Sequence, residues 1–200
     1  KHFARIGMDV PTELELLQSK EQTIKLSRGV LVQSLTLKRE VESAIHPMLK
    51  TLISYTVPFQ DVAHCQEKGL TGVKWADTHA ESLARKLFNA VQDLQMLVDT
   101  CNALICSIFC TVQRVCRHNV IIPSGKFHIN DFVDAQKKAI DDSGAFFHDC
   151  VKKAHQSLCG IRETVMPSNS PSSKCEISFA ELEVDIQCLL RSAVIYRIHM

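Results

Sequence analysis

Residues 78–117 read THAESLARKLFNAVQDLQMLVDTCNALICSIFCTVQRVCR, and this stretch decides the fold class. Apolar side chains fall at Ala80, Ala84, Leu87, Val91, Leu94, Val98, Cys101, Ile105, Ile108, Val112 and Val115. The spacing alternates four and three, a heptad seam sustained for about five repeats and the signature of left-handed helix packing. A second row at Leu83, Ala90, Leu97 and Leu104 widens the stripe. A two-stranded coiled coil needs only the narrow seam, so the wider stripe predicts burial against more than one neighbour, as in a bundle. Asp77 or Thr78 is placed to cap the N-terminus. At about 1.5 Å per residue the helix is roughly 55–60 Å long.

Working outward, a second helical pattern spans 130–166, with Ile129, Val133, Gln136, Ile140, Phe147, Cys150 or Val151, Ala154, Leu158, Ile161 and Val165 on one face. Asn130 is its expected N-cap. Gly144 inside it marks a local bend or a close helix crossing, since a mid-helix glycine costs about 1 kcal/mol against alanine. Upstream, Pro11 suits the first turn of a helix, where a missing N–H costs nothing. Leu14, Leu17, Ile24, Leu31 and Leu35 continue from it, then Leu37, Val41, Ile45, Met48 and Leu52, with kinks expected near Pro47 and Pro58. Lys68-Gly69-Leu70-Thr71-Gly72 reads as a turn. The expected organisation is a helical bundle over 1–118, a linker at 119–129, the long helix at 130–166, a flexible loop at 167–175 and a C-terminal helix at 176–200. That last helix is clearest from Phe179 to Tyr196, with Leu182, Ile186, Leu189 and Leu190 inward. No segment alternates as a strand would. The fold class is all-α: an elongated bundle of long antiparallel helices, about five in number.

Composition agrees. Hydrophobic residues make up 46% and charged residues 22%, too apolar for wholesale disorder. Only 7 Gly and 6 Pro interrupt the chain, as long helices require. Lys and Arg number 23 against 22 Asp and Glu, so no net field steers nucleic acid or anionic lipid, and neither is an expected partner. The longest apolar stretch, Ala103–Val112, contains Ser107 and falls short of the about 20 residues a bilayer span needs. The chain starts at Lys1 without an initiator Met or a signal-peptide pattern, and its first residues read as the end of an amphipathic helix. The sequence is therefore read as an internal fragment of a larger protein.

Few residues of the chain fall in patterns that carry chemistry. Nine cysteines leave at least one thiol outside any intramolecular disulfide framework. Cys101, Cys106, Cys110 and Cys116 share one helical pattern, and Cys106 and Cys110 share a face. Cys116 with His118 has the look of a ligand pair, but no CxxC knuckle completes a tetrahedral site. These thiols read instead as small buried hydrophobes in a reducing compartment, without metal. Ser124-Gly125-Lys126 superficially resembles a phosphate loop, yet the first glycine is missing and Phe127 stands where the magnesium-binding hydroxyl belongs. His79, His118, His148 and His155 read as helix-surface residues, and the adjacent Asp141 and Asp142 point in different directions. Ser170-Pro171 has the form of a phosphosite and reads more simply as solvated loop. Trp75, the only tryptophan, follows a glycine turn and precedes the longest helix. It is placed to lock that turn against the bundle, with a partner-binding anchor as the functional alternative. No catalytic, cofactor-binding or metal residue is expected.

Two segments carry a resemblance. Phe3-x-x-x-Gly7-x-x-x-Pro11 leads into a helix, and Gly69-Leu70-Thr71-Gly72-Val73-Lys74-Trp75 precedes the heptad helix. In order and spacing they resemble the N-terminal tail of dynein heavy chains, where a segment like LGxxxPE opens one helix and one like PGLTTLTW precedes another. Phe132 stands in a context similar to the tail's next helix. The resemblance spans Phe3 to Val165. Lys68 stands where the family has Pro, Gly72 and Lys74 where it has Thr, and Thr12 where small or acidic residues are common; these departures bear on subtype, which looks axonemal rather than cytoplasmic. The resemblance implies a non-catalytic tail segment of stacked helices in a microtubule motor of the cilium or flagellum. It implies partners among other heavy chains, intermediate and light chains and adjacent tail segments, with Gly7, Pro11, Gly69 and Trp75 as structural or interaction residues. ATP would be used only in the parent's motor ring. A helical-rod scaffold or tethering protein unrelated to any motor shares the same periodicity.

Overall fold

A computed structural model describes residues 12–70, 80–119, 125, 128–167 and 172–199. Among these there is no strand, and six α-helices form an all-α bundle. They are α1 (Thr12–Ala44), α2 (Lys50–Ser54), α3 (Val57–Leu70), α4 (Ala80–Arg117), α5 (Ile129–Val165) and α6 (Ser173–His199), with a 3-10 turn at Pro47–Leu49 before α2. The chain divides into two compact units, Lys1–Ile45 with Val57–Met96 and His46–Thr56 with Leu97–Met200. The boundary between the units falls within α4, and residues 46–56 belong with the C-terminal helices.

In the first unit α4 supplies Ala84, Leu87, Val91 and Leu94, all buried, and Val41 of α1 and Val62 of α3 are buried with them. Between those two helices, Lys38 Nζ donates to Gln66 Oε1 at 2.7 Å and lies 3.3 Å from Glu42. The expected turn at Lys68–Gly72 is corrected in part. Gly69 and Leu70 complete α3, because a glycine near a helix end costs only about 1 kcal/mol and does not force a turn. Gly7, Pro11, Thr71, Gly72, Trp75 and the caps proposed at Asp77 and Thr78 lie outside the described residues.

In the second unit, Pro47 explains the local chain path, while Pro58 sits in the first turn of α3 in the first unit. Pro47 occupies the first turn of the 3-10 segment, where its missing N–H is harmless. His46 caps that turn: its Nδ1 accepts from the Met48 N–H at 3.3 Å, and its carbonyl accepts from the Leu49 N–H at 2.8 Å. The His46 N–H itself donates to Asn102 Oδ1 of α4 at 3.0 Å. Thr56 closes the excursion by donating its hydroxyl to the Ile53 carbonyl at 2.7 Å. Leu49, Leu52 and Ile53 are fully buried in between, and α2 packs against α6.

Helices α4, α5 and α6 run antiparallel within this unit. Leu104 meets Gly160 and Val115 joins Cys150 as α5 returns along α4. Arg162 lies over the Phe179 ring at 5.9 Å, and Cys150 joins Ala193, as α6 returns along α5. α5 begins at Ile129 with His128 in extended conformation as N-cap, so the helix starts ahead of the expected Asn130 cap. α6 starts at Ser173, earlier than the expected 176. Ser172 accepts the Cys175 N–H on its Oγ at 3.3 Å, so part of the Ser-rich stretch assigned to the 167–175 loop is in fact a helix cap. Leu182, Ile186 and Leu190 are buried as expected, while Leu189 is 38% exposed.

The close helix crossing belongs to Gly160 and not to Gly144. A Cβ at Gly160 would come within 3.2 Å of both Leu104 methyls, whereas one at Gly144 meets nothing within 4 Å. Gly144→Ala is therefore expected to raise stability by about 0.5–1 kcal/mol in a urea melt, from helix propensity alone. Gly160→Ala is expected to gain less, because Leu104 must retreat. An equal gain at both sites would show that the α4–α5 approach is looser than described.

Candidate functional site

The seam on α5 changes character along its length. From Ser143 onward it is buried: Cys150, Ala154, Leu158, Ile161 and Val165 all face neighbours. Toward the N-terminus the same face continues through Ile140, Gln136, Val133 and Ile129, and there it is open. Ile129 is 82% exposed, Val133 55% and Ile140 67%. The sequence pattern placed these residues inward with the rest of the row; the structure corrects that, because on these turns the half-buried positions are Ala135 and Ala139, and the row of Ile129, Val133 and Ile140 faces outward. Where the covering ends, His118 closes the core. Its ring stacks on Phe146 at 4.0 Å and meets Phe147 edge-on, and its Nε2 is 3.4 Å from Ser143 Oγ. The Arg114 guanidinium also lies over the Phe146 ring, 5.7 Å from its centroid. His118 is thus a half-buried packing residue and not the surface residue expected.

A groove of about 530 Å³ lies between α5 and α6. Its walls are apolar, formed by Val151, Leu158, Leu190 and Val194, with His155 and Arg191 also lining it. Cys159 Sγ sits 3.6 Å from His155 Nε2, one helical turn away on an exposed face. A nucleophilic Cys–His pair also needs a third group to orient the base. No hydrogen bond or ion pair of the described residues holds the other nitrogen of His155, so the pair has the geometry of a helix-surface contact.

The nine thiols are unpaired and fall into distinct environments. Cys101, Cys150 and Cys175 are buried; Cys106, Cys110, Cys159 and Cys188 are exposed. The expectation that the α4 thiols pack as small hydrophobes holds for Cys101 and is corrected for Cys106 and Cys110, which lie off the seam. Burial pushes the Cys101 thiol up from 9.0 to about 11. Burial also raises Cys150, opposed by the nearby Arg114 charge, and raises Cys175, reinforced by Glu176. Among the described residues, no three His, Cys, Asp or Glu side chains gather at metal-ligand spacing.

Of the residues singled out from sequence, Gly7, Pro11 and Trp75 lie outside the described residues, and Gly69 sits in the last turn of α3. α4 is long and apolar enough, by length and composition, to cross a bilayer, which counting the uninterrupted run Ala103–Val112 did not reveal. Its seam is nonetheless buried against protein, and Asp99 interrupts the apolar stretch. The feature missed from sequence is the outer face of α6, where Ile177, Val184 and Ile195 are 61%, 57% and 56% exposed. The signal was present as a second heptad row, masked by the stronger inward row of the same helix. No family model, curated protein or solved structure matches the chain.

Proposed function

We infer that this chain is a non-catalytic assembly segment, part of the tail of a dynein heavy chain, serving to join heavy chains with intermediate and light chains and adjacent tail segments. The observation that carries the assembly role is the open half of the α5 seam. Ile129, Val133 and Ile140 continue a row that is buried elsewhere along the same helix. Large apolar side chains exposed in a row of this kind are a feature of protein contacts. The dynein assignment draws support from the order of the Phe3–Pro11 and Gly69–Trp75 segments. In that setting the segment docks an ATP-driven microtubule motor, in the axoneme, and takes neither nucleotide nor metal itself.

The test is made in the intact parent heavy chain. Val133→Asp with Ile140→Asp places two charges on the open seam without touching the buried core. Co-purifying partner chains are expected to fall about tenfold or more, as when a central apolar contact is lost, while basal ATP hydrolysis is unchanged. Cross-linking at α5 identifies the partner. Loss of ATP hydrolysis in a folded motor with assembly intact would overturn the reading, as would undiminished partner recovery. The flanking sequence tests the motor assignment separately: a nucleotide-binding AAA+ ring encoded downstream supports it, and a stop codon shortly after Met200 sinks it.

A further inference from the structure

Helix α6 is apolar on two opposite faces. One buries Cys175, Phe179, Leu182, Ile186 and Leu190 against its own unit. Around the helix from it, positions 177, 181, 184, 188, 191 and 195 are all exposed, with Arg191 and Ile195 also at the edge of the α5–α6 groove. They are Ile177, Glu181, Val184, Cys188, Arg191 and Ile195, spaced four, three, four, three, four. That is a complete heptad row of its own. A surface helix needs one apolar face, and a helix apolar on both sides is normally covered on both. Among the described residues nothing covers the outer row, and neither Glu181 nor Arg191 forms an ion pair there.

The row has a chemical symmetry that names its occupant. Read from either end it runs isoleucine, charge, small residue, small residue, opposite charge, isoleucine. When an antiparallel helix with the same row is laid against it, Ile177 meets the partner's Ile195, Glu181 meets the partner's Arg191, and Val184 meets the partner's Cys188. Every layer is then matched, and each layer occurs twice about a two-fold axis at the level of Ile186. A parallel, in-register pair instead sets Glu181 on a second glutamate and Arg191 on a second arginine, a like-charge arrangement that disfavours it. An isologous contact of this kind closes as a dimer and does not propagate.

We propose that the outer face of α6 is the interface of an antiparallel homodimer of this chain, held in register by reciprocal Glu181–Arg191 pairs. The partner is a second copy. On one flank the same axis brings Asp185 beside the partner's Asp185, a like-charge cost that Asp185→Asn removes. The inference names a contact for the assembly role proposed above. Its readout is self-association of the chain, which is separate from recovery of other chains through the α5 seam, so either can fail alone.

The test is analytical ultracentrifugation of the full chain. The wild type is expected to dimerise with a Kd below about 100 μM. Glu181→Arg and Arg191→Glu each create two like-charge layers and are expected to weaken dimerisation at least about tenfold. The double variant exchanges the charges and is expected to restore it. Mixing the two single variants is expected to give a heterodimer tighter than either homodimer, because every charged layer is then opposite in sign. Orientation is read independently from cross-linking. Val184→Cys places a new thiol opposite the partner's Cys188, so mild oxidation is expected to give a covalent dimer. The wild type, whose two Cys188 thiols are staggered along the axis, is expected to give none. A monomeric wild type at higher concentration overturns the proposal and leaves the face to a different protein. A double variant that stays as weak as the single ones overturns it too, as does ready disulfide formation through Cys188 alone, which signals a parallel pair.

Discussion

Ile105→Ala is expected to destabilise the protein by about 2–5 kcal/mol, the range for removing a fully buried isoleucine side chain beyond Cβ. Ile105 is 0% exposed and lies on the α4 seam beside Leu104, whose methyls contact Gly160 of α5. The loss has two parts: the transfer free energy of the deleted atoms, and a cavity that three packed helices collapse into only partly. Because a domain's whole stability is about 5–15 kcal/mol, one such change removes a large share of it. Far-ultraviolet circular dichroism through a urea titration measures the effect. Leu94, also fully buried, lies in the other compact unit, and Leu94→Ala is the parallel measurement there. Ile177→Ala on the outer face of α6 is the control, with an expected change within about 0.5 kcal/mol in the monomer. A loss below about 1 kcal/mol at Ile105 would mean that the seam is not closed.

A second large effect is expected on raising the pH. The Cys101 thiol is held protonated by burial, with its pKa pushed from 9.0 up to about 11. Unfolding returns it to its ordinary value. Below pH 9 both states carry the proton and stability is full. As pH rises from 9 to 11 the unfolded chain releases the proton while the folded chain keeps it, so stability falls; above 11 both are ionised and the loss is complete. At about 1.4 kcal/mol per pH unit the loss is on the order of 3 kcal/mol. Cys150 and Cys175 are raised in the same direction and add to the slope. Urea midpoints across this window measure it, and Cys101→Ala is expected to flatten the curve while lowering its starting level. At neutral pH a maleimide is expected to label Cys106, Cys110, Cys159 and Cys188 quickly and to spare Cys101, Cys150 and Cys175 until the chain unfolds. Rapid labelling of Cys101 in the folded protein, or a slope that survives Cys101→Ala unchanged, would refute the account.

The two long helices were legible because a heptad row is redundant. Eleven positions of α4 repeat the same statement, and losing one, as at half-buried Val112, does not change it. The helix starts at Ile129 and Ser173 were less legible. Ends rest on single backbone contacts, such as the Cys175 N–H to Ser172, and a serine in a polar run reads equally as loop. Burial at the N-terminal part of α5 was misread for a different reason. Periodicity reports which face of a helix is apolar, but not whether that face meets a neighbour. Gly144 and Gly160 make the same point, since identical residues on one helix differ only in what stands opposite. The outer row of α6 was hidden because two apolar faces on opposite sides cancel in any search for one-sidedness.

Residues 46–56 leave the chain's local neighbourhood and wait for partners made much later. His46 pairs with Asn102, α2 packs on α6, and Lys174 lies over the Tyr55 ring at 5.9 Å. At about 5–20 residues per second of translation, Asn102 follows His46 out of the ribosome by roughly 3–11 s, and α6 follows later still. Closing a loop of that length adds an entropic cost to docking that local helix formation does not carry. Throughout that interval Leu49, Leu52 and Ile53 are an uncovered apolar triplet on a nascent chain whose flanking helices are already able to form. The segment 46–56 is thus where vectorial synthesis and the finished topology conflict.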